Sequence, residues 1–334
     1  MANLKTPYEN IVKVRDIATG RFAHPETAIR LGLTEQLPAA AQDAQKILVI
    51  GIDFQNDFVV PDKSQVPDGE PYGSLSVPGA KEDLEHFTRF IYNNCDKITR
   101  VFLSIDTHFV YQIFHGAMWK DENGDSVAPY TMITPDDLSS GKYRFVGGNP
   151  VIAKQCVETL AKAGKGGVYI WPYHCLTGTF GWCPETQLMQ MVHFHSAARK
   201  TVGKERPVPT FKGTDIYSEM YGFMEPEFNP KGDALINKAV LDVLMRTDNS
   251  ANGEPKFEYD QVFVGGEAGS HCLPESVRQI LKRFANYPEF TQRITILEDC
   301  TSPVPGFEQV MYDSFEEFKR NYGVQIKKST DITL

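Results

Sequence analysis

Two groups of residues in this chain have types and spacings that chemistry needs. Asp106-Thr107-His108 is followed by His115, and His174 ends the next apolar run. Three imidazoles and a carboxylate make a nitrogen and oxygen shell suited to a divalent transition metal, zinc first, with iron and manganese as alternatives. An Asp-X-His triplet alone is weak, and each histidine taken singly fits a surface or hydrogen-bonded position more readily than a ligand position. The second group centres on Cys272, which follows Gly265-Gly266-Glu267-Ala268-Gly269-Ser270-His271 and precedes a helical segment with Pro274 in its first turn. Proline is tolerated there because the first helical amides have no intrahelical partner. A thiol at a helix amino terminus sits in a positive field that favours thiolate, and nearby free amides can hold an oxyanion. A packed cysteine after a glycine-rich turn is the competing reading.

Asp53 ends the first apolar run, where a carboxylate can accept the thiol proton and later return it to a leaving amine. Lys212, in Thr210-Phe211-Lys212-Gly213, can pair with Asp53 and stabilise its charge, although either residue alone is more commonly a solvated or salt-bridged charge. Gly265-Gly266 carries no phosphate-binding fingerprint. His193 and His195 look ligand-like, but residues two apart point to different sides of a helix and read as packing and surface hydrogen bonds. Cys175 and Cys183 read as structural thiols.

These residues must be positioned by the elements between them. Ile47 to Asp53, Val101 to Asp106, Gly167 to Pro172, Gln261 to Gly266 and Ile294 to Asp299 read as buried strands. Helical spacing runs over Ala80 to Tyr92, Val151 to Ala163, Thr186 to Lys200, Ala234 to Met245, Leu273 to Phe284 and Phe307 to Tyr322. Such alternation predicts an α/β, doubly wound, mostly parallel sheet with helices on both faces, a Rossmann-like three-layer arrangement. Ligands bind beyond the carboxyl ends of such strands, which is where Asp53, Asp106, His174 and the stretch after Gly266 fall. Residues 1 to about 45 form an N-terminal extension with a short helix expected around Pro25 to Leu31. The polar, glycine-containing stretch from Gly116 to about Asn149 reads as a long insertion crossing the surface, of the kind that often forms a lid.

Composition narrows the function class. With 334 residues, 41% of them hydrophobic, and no long apolar gap, the chain is expected to pack as a globular protein. A net charge of −9 disfavours a general nucleic-acid or acidic-membrane partner, which requires basic surface. Met1 to Lys13 lacks the pattern of a signal peptide and no apolar run approaches a membrane span, so a cytoplasmic protein is expected. Six scattered cysteines do not form a disulfide framework.

Taken in order, several motifs together resemble the nicotinamidase branch of the isochorismatase-like cysteine hydrolases. They are Asp53-Phe54-Gln55-Asn56-Asp57-Phe58, Gly73-Ser74-Leu75-Ser76-Val77-Pro78-Gly79, Asp106-Thr107-His108 with His115, Trp171-Pro172-Tyr173-His174-Cys175-Leu176-Thr177-Gly178-Thr179, Phe211-Lys212-Gly213 and Ser270-His271-Cys272. The resemblance covers residues 46 to 325 apart from the insertion at about 116–149, and leaves 326–334 as a tail. It implies an isochorismatase-like fold with Cys272 as nucleophile, Asp53 as general base and acid, and Lys212 as the organising cation. It also implies one divalent metal on Asp106, His108, His115 and His174, a substrate ring between Phe58 and Trp171, a cis peptide at Glu267-Ala268, and an oxyanion hole from the amides of Ala268 and Cys272. The implied reaction is hydrolysis of an aromatic carboxamide such as nicotinamide through a thioester, with the ring nitrogen on the metal, in a homo-oligomer acting on small molecules. The alternatives are another amide or carbamoyl hydrolase of the superfamily, or a metal-binding scaffold without catalysis. Two residues depart from the family pattern: Glu267 stands where an apolar residue is usual, and Ser270 where many members have aspartate. An ionisable Glu267 beside the nucleophile is expected to tune Cys272 or contact a substrate group.

Overall fold

The computed structural model describes residues 1–12, 25–201, 209–231, 235–246 and 256–334. Six strands form one parallel sheet: β1 (Ile47–Ile52), β2 (Arg100–Asp106), β3 (Thr210–Lys212), β4 (Gln261–Gly266), β5 (Ile294–Leu297) and β6 (Gln325–Lys327), in the spatial order β6-β5-β4-β1-β2-β3. The alternating direction of side chains along a strand puts Val49 and Phe263 in the core of one face and Leu48, Ile50, Val262 and Val264 in the core of the other. Both faces are therefore apolar, as a parallel sheet covered on two sides requires. Helices Ala80–Asn93 and Thr186–Ala198 cover the first face, and helices Lys238–Leu244, Cys272–Arg283 and Glu308–Tyr322 the second.

Chain order reverses between β1 and β4: the path runs outward from β1 through β2 to β3, then returns to start again at β4. A crevice at that reversal, beyond the carboxyl ends, is where doubly wound sheets bind ligands. Register brings the ends together, with Ile52 opposite Gly266 and Asp106 opposite Lys212.

Three expectations change. Of Gly167 to Pro172 only Val168–Tyr169 is strand, and it pairs antiparallel with Met132–Ile133 outside the main sheet. Two sheet strands, β3 and β6, escaped the periodicity reading because each is a three-residue edge strand with no apolar run. The 116–149 segment is not a bare surface crossing. It contains Trp119–Asp121 paired antiparallel with Tyr143–Phe145 and helix Pro135–Ser139, and it buries Trp119, Val127 and Ile133 against Ala153, Val157 and Leu160 of helix Pro150–Lys162. A Thr134–Asp137 capping box starts the short helix.

The expected N-terminal helix is Pro25–Thr34, packed on Thr186–Ala198 so closely that a Cβ on Gly32 would lie 2.4 Å from the Phe194 carbonyl oxygen. Helix ends elsewhere move by one or two residues, and the 234–245 segment is helical over Lys238–Leu244, with Ala234 outside the described residues. No described helix is long and apolar enough to cross a membrane.

Candidate active site

The segment after β1 distributes its side chains over the whole site. Asp53 takes a left-handed backbone (φ 48°), a conformation costly for a residue with a Cβ, and is held by Ser104 Oγ donating to its Oδ1 at 2.6 Å. Gln55 clamps the end of β2, its Nε2 donating to the Asp106 carbonyl (2.8 Å) and its Oε1 accepting from the Asp106 amide (2.6 Å). Asp57 accepts from the amides of Ser74 and Cys175 at 2.8 and 2.6 Å, fixing the loop that carries His174. Phe58 ends 5.7 Å from the His174 ring.

Lys212, delivered by β3, is the centre of the site. Its Nζ donates to Asp106 Oδ1 (2.9 Å), the Met220 carbonyl (2.9 Å) and Cys272 Sγ (3.6 Å). Asp53 Oδ2 lies 2.9 Å from the same nitrogen as its ion-pair partner, and a carboxylate oxygen facing one donor keeps a further lone pair. All four side chains are buried. Burial opposes the Lys212 charge, but Asp106 and Asp53 outweigh it and hold the ammonium well above its ordinary pKa. Asp53 is raised, first by burial and then by Asp106, with Lys212 opposing. It is thereby a stronger proton acceptor than an exposed aspartate.

Cys272 is the first residue of helix Cys272–Arg283, as the motif and Pro274 required. Burial, Asp53 and Asp106 together outweigh Lys212 and hold the thiol well above its ordinary pKa, so it needs the proton acceptor expected at Asp53. The helix field is real, but here it acts on a group out of water and between two carboxylates. The Glu267–Ala268 peptide is cis, and the Ala268 carbonyl accepts from the amides of His271 and Leu273. Ser270, the replacement for aspartate, bonds His271 Nδ1 at 2.8 Å and accepts from the Val304 amide. Glu267 faces Asp83 of helix Ala80–Asn93, on the other side of the sheet from the Cys272 helix. Burial and that neighbour raise Glu267 far above the usual range and Asp83 rises to about 6, so they form a carboxyl pair at a distance from the thiol chemistry.

The Asp106, His108 and His174 ligand atoms all lie within 4.8 Å of one another. His108 Nε2 is 2.9 Å from Asp106 Oδ2. Each of the three histidines turns Nδ1 to a backbone carbonyl: His108 to Gly213, His115 to Val110, His174 to Pro172. A carbonyl only accepts, so in His115 and His174 Nδ1 carries the proton and Nε2 keeps its lone pair, the arrangement that ligating imidazoles use. His115 stands outside the three-residue group, its ring 6.4 Å from that of His108, and its buried Nε2 has no hydrogen-bond partner. Gly213 makes this packing possible, since a Cβ there would lie 2.9 Å from His108 Cε1 and 3.0 Å from Asp106 Oδ1. Two buried carboxylates face one ammonium, and orphaned ring nitrogens face the surplus negative charge. That donor set fits a divalent cation.

Trp171 also neighbours His174 (6.5 Å between rings) and donates from Nε1 to Tyr221 Oη at 3.0 Å. The structure thus brings together Asp53, Asp106, Lys212 and Cys272, sets the three histidines beside them, and places Phe58 and Trp171 against His174. Sequence reading gave no role to Ser104, Gln55, Asp83, Met220 or Tyr221. Gln55 was within reach, two residues after Asp53 in a quoted motif; the carbonyl of Met220 carries no side-chain signal. His195 is buried and bonds the Ile98 carbonyl through Nε2, as a packing role requires.

No protein-family model and no curated protein matches the sequence. Solved structures do. The Acinetobacter baumanii nicotinamidase/pyrazinamidase superposes with a TM-score of 0.51 at 17% identity, covering 87% of this chain and 100% of that one. The yeast nicotinamidase bound to the inhibitor nicotinaldehyde gives 0.53 at 18% identity, covering 84% of this chain and 99% of that one. The resemblance read in the sequence therefore extends to three dimensions: the chain has the fold of the nicotinamidases, the isochorismatase-like α/β fold.

Proposed function

We propose that the chain is a cysteine amidohydrolase of the nicotinamidase kind, acting on an aromatic carboxamide. The observation that carries this reading is the Lys212 ammonium in direct contact with Asp53, Asp106 and Cys272 inside a buried site. In the resting state Cys272 is a thiol and Asp53 a basic carboxylate, so the thiol needs a base and a base is present. Asp53 takes the Sγ proton as sulfur attacks the amide carbon. The oxyanion is met by the amides of Ala268 and Cys272, the latter at a helix start where backbone N–H groups have no intrahelical acceptor. Asp53 returns the proton to nitrogen, the C–N bond breaks, ammonia leaves and a thioester remains. Water activated by Asp53 adds to the thioester, releasing the acid and restoring the thiol. Asp106, His108 and His174, with His115, would hold a divalent metal, zinc first among the choices, which supplies a Lewis-acid anchor for a ring nitrogen. Phe58 and Trp171 would flank that ring.

The test is ammonia release by purified protein of measured metal content from nicotinamide, pyrazinamide and an aliphatic amide. Strong preference for the pyridine or pyrazine carboxamide supports the reading. Equal rates with the aliphatic amide would assign a different acyl group, and no release from any of them would remove the amidase assignment.

A further inference from the structure

Glu267 stands where β4 gives way to the turn that carries Ala268 and Cys272. Its amide donates to the Ile52 carbonyl at 2.9 Å, one residue before Asp53, and two residues later the Gly269 amide donates to the Ser302 carbonyl at 2.8 Å. The backbone of the turn is thereby tied on one side to the strand that delivers the base and on the other to the segment after β5. The Glu267 side chain turns the other way, to Asp83 of helix Ala80–Asn93.

That meeting place is closed. Glu267 is fully buried and Asp83 is 6% exposed. Gly79, the residue before the helix, leaves no spare space at its edge: a Cβ there would lie 2.4 Å from Ser302 Oγ and 3.7 Å from Asp83 Oδ2. Among the described residues neither carboxyl has a Lys or Arg ion-pair partner, and the basic group that acts on Asp83, His86, turns Nδ1 to the Asp299 carbonyl at 2.7 Å. The other titratable groups around the pair are acids and a thiol. Glu82 lies on the same helix, Asp299 and Cys300 follow β5, and Asp331 is exposed beyond β6. The segment after β1 brings Asp57, which is spent on the Ser74 and Cys175 amides, and helix Thr186–Ala198 brings Glu185, which Lys81 attends.

Two carboxylates in such an enclosure repel each other, whereas one proton between them makes a charge-assisted O–H···O bond. Burial raises both groups. Asp83 raises Glu267 further, while hydrogen bonds from Ser302 and Glu267 restrain Asp83 to about 6, so the proton resides on Glu267.

We propose that Glu267 and Asp83 hold one proton between them and act as a positioning pair, fixing the turn that presents the Ala268 amide and Cys272. The proposal rests on the amidase reading only for the use to which that turn is put.

Unfolding reads the proton. The folded protein keeps it where the unfolded chain has released it, so this stability is full below pH 4.5 and is lost as pH rises toward the higher folded value. Glu267→Gln cannot ionise and still offers Asp83 a donor. Relative to that variant, the wild-type folding equilibrium should fall by up to about tenfold per pH unit from pH 7 to pH 9 in denaturant titration. A ratio that does not change with pH would mean that the pair holds no proton, and overturns the proposal. Turnover reads the position. Glu267→Ala should lower kcat for nicotinamide about tenfold with KM unchanged, a fraction of the roughly 10²- to 10³-fold that loss of an oxyanion donor costs, and Glu267→Gln should restore it. Equal kcat in all three proteins, or equal loss in both variants, would remove the positioning role. Should Glu267→Ala fail to fold, Asp83→Ala serves, with Asp83→Asn as its rescue. If the wild type hydrolyses no amide, the amidase reading falls, and the rate of Cys272 alkylation by iodoacetamide takes the place of kcat with the same expected order.

Discussion

Among the described residues two cationic side chains, Arg199 and Lys212, are buried, and they are buried differently. Arg199, fully enclosed at the end of helix Thr186–Ala198, donates from Nε to the Ile98 carbonyl at 3.3 Å, from Nη1 to the Pro38 carbonyl, and from Nη2 to the Asp43 carboxylate. Asp43 in turn accepts from Thr99 Oγ1 at 2.7 Å, and neighbouring His195, pushed down to about 4 by burial, bonds the same Ile98 carbonyl. One cation meets one anion, and backbone oxygens take the rest. Lys212 instead meets two carboxylates and a thiol, with the His108 and His174 rings against one of those carboxylates and a buried His115 nitrogen that has no hydrogen-bond partner nearby. A buried charge that serves the fold is closed, because every open valence in a dry interior destabilises it. A charge that serves chemistry leaves places for a proton, a cation or a substrate atom. Arg199 ties the N-terminal extension to the domain; Lys212 organises a reaction.

The sharpest way to break this contrast is to remove the reacting atom. Cys272→Ala should abolish ammonia release, by on the order of 10⁶-fold, as loss of a nucleophile does elsewhere. Its unfolding midpoint should stay near wild type, because a small side chain at a helix start leaves packing nearly intact. Turnover near the wild-type rate would sink the thioester route. Asp53→Asn comes next, with an expected loss of roughly 10²- to 10⁴-fold in acylation, since an amide cannot accept the thiol proton. Rapid formation of a trapped thioester in that variant, seen by mass spectrometry, would place the base elsewhere.

The two cations themselves give the third test. Removing either one strands a buried carboxylate, so Lys212→Met and Arg199→Met should each cost about 3–5 kcal/mol of stability in denaturant titration. Only Lys212→Met should lose hydrolysis at a temperature where both variants remain folded. If Arg199→Met, folded, lost as much activity as Lys212→Met, the division between closed and open charge would be wrong.

Much of this contrast could be read in the chain, for identifiable reasons. Ile47–Ile52 and Gln261–Gly266 are buried on both faces, so each shows as an unbroken apolar run and the sheet core was legible. Cys272 was legible because glycines and Pro274 mark its turn. Lys212 lies on a three-residue edge strand whose Phe211 is 51% exposed, so periodicity carries no signal there and only the motif marked it. Trp171 and His174 hang on single bridges, His115 to Trp171 and His108 to Leu176, which no local pattern announces. How strongly burial opposes ionisation of Cys272 was not legible, because helix position is a local property, whereas burial between Asp53 and Asp106 is made by residues far away in sequence. Asp83 is one acid among many until folding sets it against Glu267.

A smaller effect is expected at the metal group. His108→Ala and His174→Ala should each lower metal content in elemental analysis, and chelation should raise KM for ring amides more than it slows alkylation of Cys272. Effects of 10- to 100-fold are typical of disturbed metal surroundings. Full metal content in both variants would move the ligand set elsewhere, and with it the account of the orphaned ring nitrogens.

The smallest effect concerns the helix that links the two regions. Glu185 starts it beneath the site, donating its amide to the Phe54 carbonyl, and Arg199 ends it. The Glu185 carboxyl accepts from the amides of Gln187 and Leu188, yet burial outweighs those bonds and raises it from 4.5 to about 7. The folded protein therefore keeps a proton that the unfolded chain releases on passing pH 4.5. Stability from this group is full below that pH and is lost as pH rises through about 7. Glu185→Gln keeps an oxygen for the same amides and cannot ionise, so it removes this decline. The unfolding midpoint of Glu185→Gln relative to wild type should rise steadily between pH 5 and pH 8. A difference that stays constant across that range would mean that Glu185 is ionised in the fold, a third buried charge closed by helix amides in the manner of Arg199.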